Sequence, residues 1–163
     1  MDLERLGLVG VLLGGAIPWL EAVTVIPAGI LLGLPPVAVV VTAIIGNLAT
    51  VGLVAFGGER VRSVLVRRRR RTVGTEGVES VEGVEGGRAS RAERVMARFG
   101  LPGLAILGPL GVGTQLSAAI IVSLGVSGRR AFAWVGASTV GWSVVVALLV
   151  AWGIDAAGLG AAA

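Results

Sequence analysis

Glu21 is the sole ionisable side chain between Leu6 and Gly58 of this 163-residue chain. A carboxylate inside a long apolar segment is costly to bury, and it therefore indicates a functional position by default. Desolvation favours the protonated form of a carboxyl group, so Glu21 is a candidate for exchanging protons and coupling them to transport. The alternative is a position at the membrane interface, where Glu21 touches water beside Trp19, a residue type that favours interfaces.

Three uncharged polar side chains also lie deep within apolar segments. Thr114 and Gln115 follow a stretch rich in glycine and proline, and we expect them to line a substrate path facing Glu21. For Asn47 two interpretations stay open, such a path or an interhelical hydrogen bond worth about 0.6–2 kcal/mol. The predicted substrate and proton path consists of Glu21, Pro27, Asn47, Pro109, Gly111, Gly113, Thr114 and Gln115.

The composition narrows the chemistry that the chain can perform. Cysteine and histidine are both absent, which removes disulfides, thiolate chemistry and most transition-metal sites. Their absence also removes the usual catalytic base and the usual nucleophile–base pairs. Since no second acid accompanies Glu21 in its segment, we expect no enzymatic activity, no metal and no cofactor.

The distribution of charge predicts a membrane protein. Charged residues make up 15% of the chain, against about 25% in soluble domains, and the mean hydropathy is +0.90. No ionisable side chain occurs in residues 101–128 or in residues 131–154. Uncharged apolar stretches of this length are typical of helices in the hydrocarbon core of a bilayer.

Two of the four apolar segments contain helix breakers. A continuous helix over residues 6–34 would measure about 44 Å, against a hydrocarbon core of about 30 Å. Pro18 and Pro27 lie within it, and a break around Pro18–Glu21 would leave two short arms. Residues 101–126 repeat this pattern, with glycines and a proline in residues 108–115. Each broken segment is either a re-entrant hairpin or a kinked span, and the sequence leaves both open.

The remaining apolar segments, residues 35–57 and 131–153, are long enough to cross a bilayer. Each follows a broken segment, and Leu32-Gly33-Leu34 before the first corresponds to Leu124-Gly125-Val126 before the second. We therefore expect an all-α integral membrane fold of two inverted repeats, each a re-entrant or broken helical hairpin plus one spanning helix. The predicted parts are a membrane half at residues 1–58, a connector at 59–100 and a second membrane half at 101–163.

The connector contains most of the 14 basic residues, followed by a low-complexity acidic stretch at residues 72–87 that we expect to be a flexible loop. The positive-inside rule places the connector in the cytoplasm and the protein in the plasma membrane as a multi-pass chain. No aromatic interleaving accompanies the arginines, so we expect anionic membrane lipids as partners and no nucleic acid. The predicted lipid and topology anchors are Arg67, Arg68, Arg69, Arg70, Arg71, Arg129 and Arg130.

The order of these features resembles the small multidrug export proteins, which are distantly similar to the DedA-type membrane proteins. The resemblance covers nearly the whole chain except the acidic stretch. It is carried by Glu21-x-x-x-x-Ile26-Pro27, Leu32-Gly33-Leu34-Pro35-Pro36, Gly46-Asn47, the break at Pro109–Gly113, and Leu124-Gly125 leading to Arg129-Arg130-Ala131-Phe132. Two positions depart from the family pattern, since this chain has Val23 where members tend to have arginine and Gln115 where they tend to have an aromatic residue.

One acid and two glycine- and proline-rich breaks inside otherwise uncharged segments lead to the hypothesis of a small secondary transporter or lipid translocase. It would act on an unidentified small molecule or lipid, with Glu21 as its proton-linked carboxylate. Four short segments enclose little volume, so we expect a homodimer. The alternative is a membrane scaffold or assembly protein that transports nothing and recruits partners through the basic connector. The two hypotheses differ in whether Glu21 or the Arg67–Arg71 run is required for activity.

Overall fold

The computed structural model describes residues 2–72, 98, 100–108 and 110–157, and these residues form helices and turns with no strand among them. The all-α prediction is therefore confirmed for this part of the chain. The predicted acidic loop lies outside the described residues, apart from its first residue, Thr72. Helices in the structure are α1 Leu3–Ala16, α2 Glu21–Leu31, α3 Pro36–Thr72, α4 Thr114–Ser123 and α5 Gly128–Ala156, and residues 100–108 and 110–111 are also helical.

Among the described residues, two helices, α3 and α5, are long and apolar enough to cross a membrane. They contain the two segments that the sequence predicts as spans. The structure differs in the length of α3, which continues past the predicted end at Gly57 as far as Thr72. The adjacent Gly57 and Gly58 destabilise a helix by only about 1 kcal/mol each. The helix therefore continues through the valines and arginines that follow.

The chain forms two compact units. Unit 1 contains residues 1–51 and 136–163, and unit 2 contains residues 52–135. Unit 1 therefore holds α1, α2, the first part of α3 and most of α5, whereas unit 2 holds the rest of α3, the 100–108 helix, α4 and the start of α5. The sequence-based division at residues 58 and 100 stays a prediction.

In unit 1, α1 and α2 form a helical hairpin. A Cβ built on Gly14 would lie 3.0 Å from Val25, and one on Gly29 would lie 3.2 Å from Val11, so the two helices run antiparallel. The connection is residues 17–20, where α1 ends before Pro18 and α2 begins at Glu21. The predicted break around Pro18–Glu21 is thus confirmed.

Glycines bring α1 against the backbone of α3. A Cβ on Gly15 would lie 2.6 Å from the carbonyl oxygen of Ala43, and a Cβ on Gly46 would overlap the carbonyl oxygen of Leu12. Gly46 also lies against the amide nitrogen of Ala16, the last residue of α1. The end of α1, and with it the break of the hairpin, therefore lies level with Gly46 and Asn47 of α3.

The core of unit 1 joins the hairpin to α3 and α5. Its fully buried apolar side chains come from α1, α2 and α3, and α5 packs against them from Val146 to Ile154. The buried cluster consists of Val11, Ala22, Ile26, Ile30, Val39 and Ala43.

Unit 2 contains the second break. The amides of Val112 and Gly113 both donate to the carbonyl of Gly108, at 2.9 and 2.7 Å, which ends the preceding helix. Gly113 has φ +99° and α4 starts at the next residue. Gly108 lies against the side chain of Ser117 of α4. Glycine therefore supplies both the left-handed turn and the close approach that follows it.

The start of α5 packs against the later part of α3 within unit 2. The rings of Phe56 and Phe132 lie 5.6 Å apart, and a Cβ on Gly128 would lie 2.7 Å from the carbonyl oxygen of Ala55. A Cβ on Gly125, in the turn before α5, would lie 3.0 Å from the Arg62 guanidinium. The later residue of α3, Arg62, thus lies beside the turn before α5, and the earlier residue, Ala55, lies beside the first residue of α5. The two helices are therefore antiparallel here.

Candidate functional site

Glu21 is the first residue of α2 and is buried, with 5% of its surface exposed. The break that precedes it has unusual backbone geometry, since Trp19 has φ +88° and Glu21 has φ +44°. Left-handed backbone costs about 1–2 kcal/mol in non-glycine residues, and it persists where the surroundings require it, commonly at functional sites. The strained turn directs the Glu21 side chain into unit 1, whereas Trp19 stays 65% exposed.

Asn47 is fully buried in α3, one residue beyond the glycine that contacts the end of α1. Its side-chain oxygen Oδ1 accepts a hydrogen bond from Thr139 Oγ1 of α5 at 3.4 Å. The interhelical hydrogen bond that the sequence left open for Asn47 is therefore present. Thr50 Oγ1 donates to the backbone carbonyl of Asn47 at 2.9 Å, so polar groups continue along this face of α3.

Sequence reasoning missed the polar residues that α5 contributes to unit 1. Thr139 and Ser143 are buried one helical turn apart, and Ser138 adjoins Thr139. In the described part of the chain, the hydroxyl oxygens of Ser138 and Ser143 are buried and have no hydrogen-bond partner. Asn47 and Thr139 are 92 residues apart, as are the turns at Leu32-Gly33 and Leu124-Gly125. This shared spacing is the sequence signal that could have pointed to Thr139.

The second break positions Thr114 and Gln115 at the start of α4. Both side chains are buried, and Thr114 Oγ1 donates to Gln115 Oε1 at 3.0 Å. Ser117, also missed from sequence, is fully buried and donates to the carbonyl of Gly113 at 2.7 Å. Unit 2 therefore has buried polar side chains at the N-terminal end of the short helix α4, and in unit 1 the buried Glu21 begins the short helix α2.

The other predicted path residues have different surroundings. Pro27 lies inside α2 without ending it, and because it has no N–H it cannot donate to the carbonyl of Val23. Gly111 is exposed, and a Cβ there would meet no atom within 4 Å. Gly113 is the left-handed residue of the second break, and Pro109 lies outside the described residues.

The predicted anchor arginines lie on two helices. Arg67 of α3 and both Arg129 and Arg130 of α5 are exposed. Arg68, Arg69, Arg70 and Arg71 continue α3, and their side chains lie outside the described residues. Their role as lipid and topology anchors stays a prediction.

The buried polar side chains of the two units allow two kinds of chemistry. The positive N-terminal end of a helix dipole stabilises an ionised carboxyl group. Hydroxyl and amide groups can donate hydrogen bonds to a polar ligand or accept them from it. The described residues contain no group of three or more histidine, cysteine, aspartate or glutamate side chains that could hold a metal ion. The described clusters therefore suit proton exchange and hydrogen bonding.

Comparison with known proteins identifies a family for this chain. No curated protein and no solved structure matches the chain. One family, described as "Putative small multi-drug export protein", matches residues 21–145, which include Glu21, all of α3 and α4, and α5 as far as residue 145. This chain is a membrane protein that belongs to that family.

Proposed function

We propose that the protein is a small secondary transporter of the plasma membrane that exports its substrate in exchange for protons through Glu21. The observation that carries the proposal is the burial of Glu21 at a strained helix break, which follows the contact between the end of α1 and Gly46 of the spanning helix α3. The family description supports export at a general level. The substrate is a small molecule or a lipid.

The depth of the first break favours a re-entrant hairpin over a kinked span. The break lies beside Gly46 and Asn47, and Asn47 is about 16 Å along α3 from its first residue, Pro36. That distance is about half of a hydrocarbon core of roughly 30 Å. Since α1 and α2 run antiparallel, a hairpin of this length would enter from one side, reach mid-membrane and leave on the same side.

Repeated geometry supports two inverted repeats. Leu32, Gly33 and Leu34 donate backbone hydrogen bonds to Ala28, Ile30 and Gly29, and Leu124, Gly125 and Val126 donate to Ile120, Val122 and Ile121 in the same pattern. The spanning helices begin at corresponding residues, Pro36 and Gly128. Buried residues then recur at matching positions in the two helices, namely 39, 43, 47 and 51 in α3 and 131, 135, 139 and 143 in α5. Antiparallel spans would give the two halves opposite orientations.

Glu21 can serve a proton-coupled cycle because two opposing effects act on its charge. Burial disfavours the ionised carboxylate, and the N-terminal end of α2 favours it. Proton binding and release at Glu21 would accompany changes in access to the site. Asn47 would supply an uncharged hydrogen-bonding group in unit 1, and Thr114 and Gln115 would supply such groups at the second break in unit 2.

The test is export of a fluorescent cationic dye, ethidium, by proteoliposomes with an imposed proton gradient. Glu21→Gln keeps the size and hydrogen-bonding ability of the side chain and removes its proton exchange. We expect it to lower gradient-driven ethidium export by at least about 100-fold, the lower range for general acid–base groups. Glu21→Asp retains a carboxyl group, and we expect it to keep measurable export.

The matched control is Glu4→Gln, which makes the same chemical change at an exposed residue of α1. We expect wild-type export from this variant. If Glu21→Gln exported ethidium as fast as Glu4→Gln, with the same dependence on the gradient, proton coupling through Glu21 would be wrong.

A further inference from the structure

The contact between α3 and α5 in unit 1 contains more polar groups than one interhelical hydrogen bond requires. Thr139 donates to Asn47, and Ser143 lies one helical turn further along α5 on the same face. Both residues are buried, with 1% and 0% of their surfaces exposed. A serine in place of alanine here adds a polar group without filling the core better.

The hydroxyl of Ser143 has no hydrogen-bond partner among the described residues, and neither has that of Ser138. Serine within a helix commonly donates to the carbonyl four residues earlier, as Ser117 does to Gly113. Ser143 makes no such bond. Buried polar side chains nearly always find a partner, and ordered water is the usual one where the protein supplies none.

The antiparallel register shows what Ser143 faces. Gly136 of α5 lies against Leu48 of α3, and Thr139 pairs with Asn47. Ser143, one turn after Thr139 in α5, therefore lies level with Ala43, one turn before Asn47 in α3. Ala43 is fully buried, and its carbonyl oxygen approaches Gly15 of α1. The residue at the level of Ser143 in α3 is therefore the small residue alanine.

We propose that Ser143, Thr139 and Asn47 bind water between α3 and α5 and form a hydrated site inside unit 1. A water there would have two hydroxyls and an amide as partners, within the two to four polar groups that buried waters use. The site adjoins Gly46 of α3, which contacts the end of α1 just before the break that leads to Glu21. If the proposed export function holds, this water supplies and removes the proton of Glu21.

The experiment uses the absence of cysteine from the chain. Ser143→Cys replaces a hydroxyl with a thiol of similar size, and its S–H stretching band is then the sole thiol signal in the infrared spectrum. Transfer of the reconstituted full-length protein into D₂O converts S–H to S–D wherever water reaches the thiol. We expect the S–H band of Ser143→Cys to disappear at least about ten times faster than that of a buried apolar control.

The control is Val51→Cys, which is fully buried in α3 at the position corresponding to Ser143. A second variant, Ser143→Cys with Thr139→Val, removes one proposed partner of the water, and we expect it to slow exchange. Thr139→Ser in the same background keeps the hydroxyl and restores fast exchange. Equal exchange rates in Ser143→Cys and Val51→Cys, or no effect of Thr139→Val, would overturn the proposal.

This readout is independent of transport. Fast exchange at Ser143→Cys together with normal export by Glu21→Gln would leave the hydrated site standing and reject proton coupling. Slow exchange together with loss of export by Glu21→Gln would reject the hydrated site and leave the proposed function standing.

Discussion

Thr139 Oγ1 donates a hydrogen bond to Asn47 Oδ1 at 3.4 Å, and the two residues occupy corresponding positions in their helices. Asn47 lies in α3 as far from Pro36 as Thr139 lies in α5 from Gly128. In the proposed inverted repeat, a contact between corresponding positions is what a pseudo-two-fold axis through that contact would produce. Both side chains are buried, so the bond joins the spanning helices within unit 1 away from solvent.

Loss of this bond should have a modest cost that is specific to the pair. Interhelical hydrogen bonds in membranes average about 0.6 kcal/mol and reach about 1.7 kcal/mol. We expect Thr139→Val and Asn47→Ala to show a coupling energy of about 0.5–1.5 kcal/mol in a double-mutant cycle of unfolding free energies in micelles. Strictly additive effects of the two substitutions would show that the bond contributes nothing to stability.

Gly46 should tolerate no side chain. A Cβ at this position overlaps the carbonyl oxygen of Leu12 and lies 3.2 Å from the amide of Ala16, and a backbone cannot yield as a side chain can. We expect Gly46→Ala to lower the free energy of unfolding by about 1–3 kcal/mol, as overpacking does, and to lower export.

Gly10 of α1 is the matched control, because a Cβ there meets no atom within 4 Å. We expect Gly10→Ala to be neutral or to raise stability by up to about 1 kcal/mol through helix propensity. Thermal unfolding in the same detergent compares the two. Similar stabilities for Gly46→Ala and Gly10→Ala would mean that α1 does not pack on α3 as described.

The second break allows a parallel comparison. A Cβ on Gly108 would overlap the Ser117 hydroxyl, which must then rotate and give up its hydrogen bond to Gly113. We expect Gly108→Ala to cost about 0.5–1.5 kcal/mol of stability, the usual range for one hydrogen bond. Gly111→Ala, which meets open space, should cost less. The reverse order in unfolding experiments would contradict the contact between Gly108 and α4.

The basic run distinguishes a transporter from a scaffold. We expect the replacement of Arg67–Arg71 by glutamine to leave gradient-driven ethidium export within about two-fold of wild type in correctly oriented proteoliposomes. The reason is that a juxtamembrane basic segment acts on anionic lipid at about 1 kcal/mol per arginine and takes no part in the proposed chemistry. Loss of activity in this variant, with full activity in Glu21→Gln, would favour the scaffold hypothesis.

Local chemistry made both breaks predictable. Pro18 cannot continue α1, and Gly113 adopts a backbone angle that other residues avoid, so the helices end where glycine and proline occur. The sequence left both a buried and an interfacial position open for Glu21, and the structure buries Glu21 while Trp19 stays exposed. The length of α3 was not predictable in the same way, because Gly57 and Gly58 resemble a helix end and do not form one.

Contacts between distant parts of the chain explain what the sequence analysis missed. In sequence, Thr139, Ser143 and Ser117 are ordinary residues of helices. In the structure, Thr139 bonds to Asn47, the hydroxyl of Ser143 is buried, and Ser117 contacts Gly108. Gly111 is predicted as a path residue from its place in a glycine-rich break, and the structure shows it exposed. Its predicted role in the path stays untested.

The most direct test of the proposed architecture is the sidedness of the first hairpin, because the proposed re-entrant hairpin would place Glu21 near mid-membrane. Leu3 and Leu32 mark its two ends and are 87% and 81% exposed. Single cysteines at these positions, in a chain that has no other cysteine, would be labelled with a membrane-impermeant maleimide in intact cells and in inside-out vesicles. Ser127→Cys, in the exposed turn before α5, probes the side that the positive-inside rule predicts to be cytoplasmic.

We expect Leu3→Cys and Leu32→Cys to react from the outside, and Ser127→Cys to react from the cytoplasm. That result would place both ends of the hairpin on one face of the membrane and its break within the bilayer. Reaction of Leu3→Cys and Leu32→Cys from opposite sides would make residues 3–31 a kinked span, and it would contradict the re-entrant hairpin and the inverted repeat built on it.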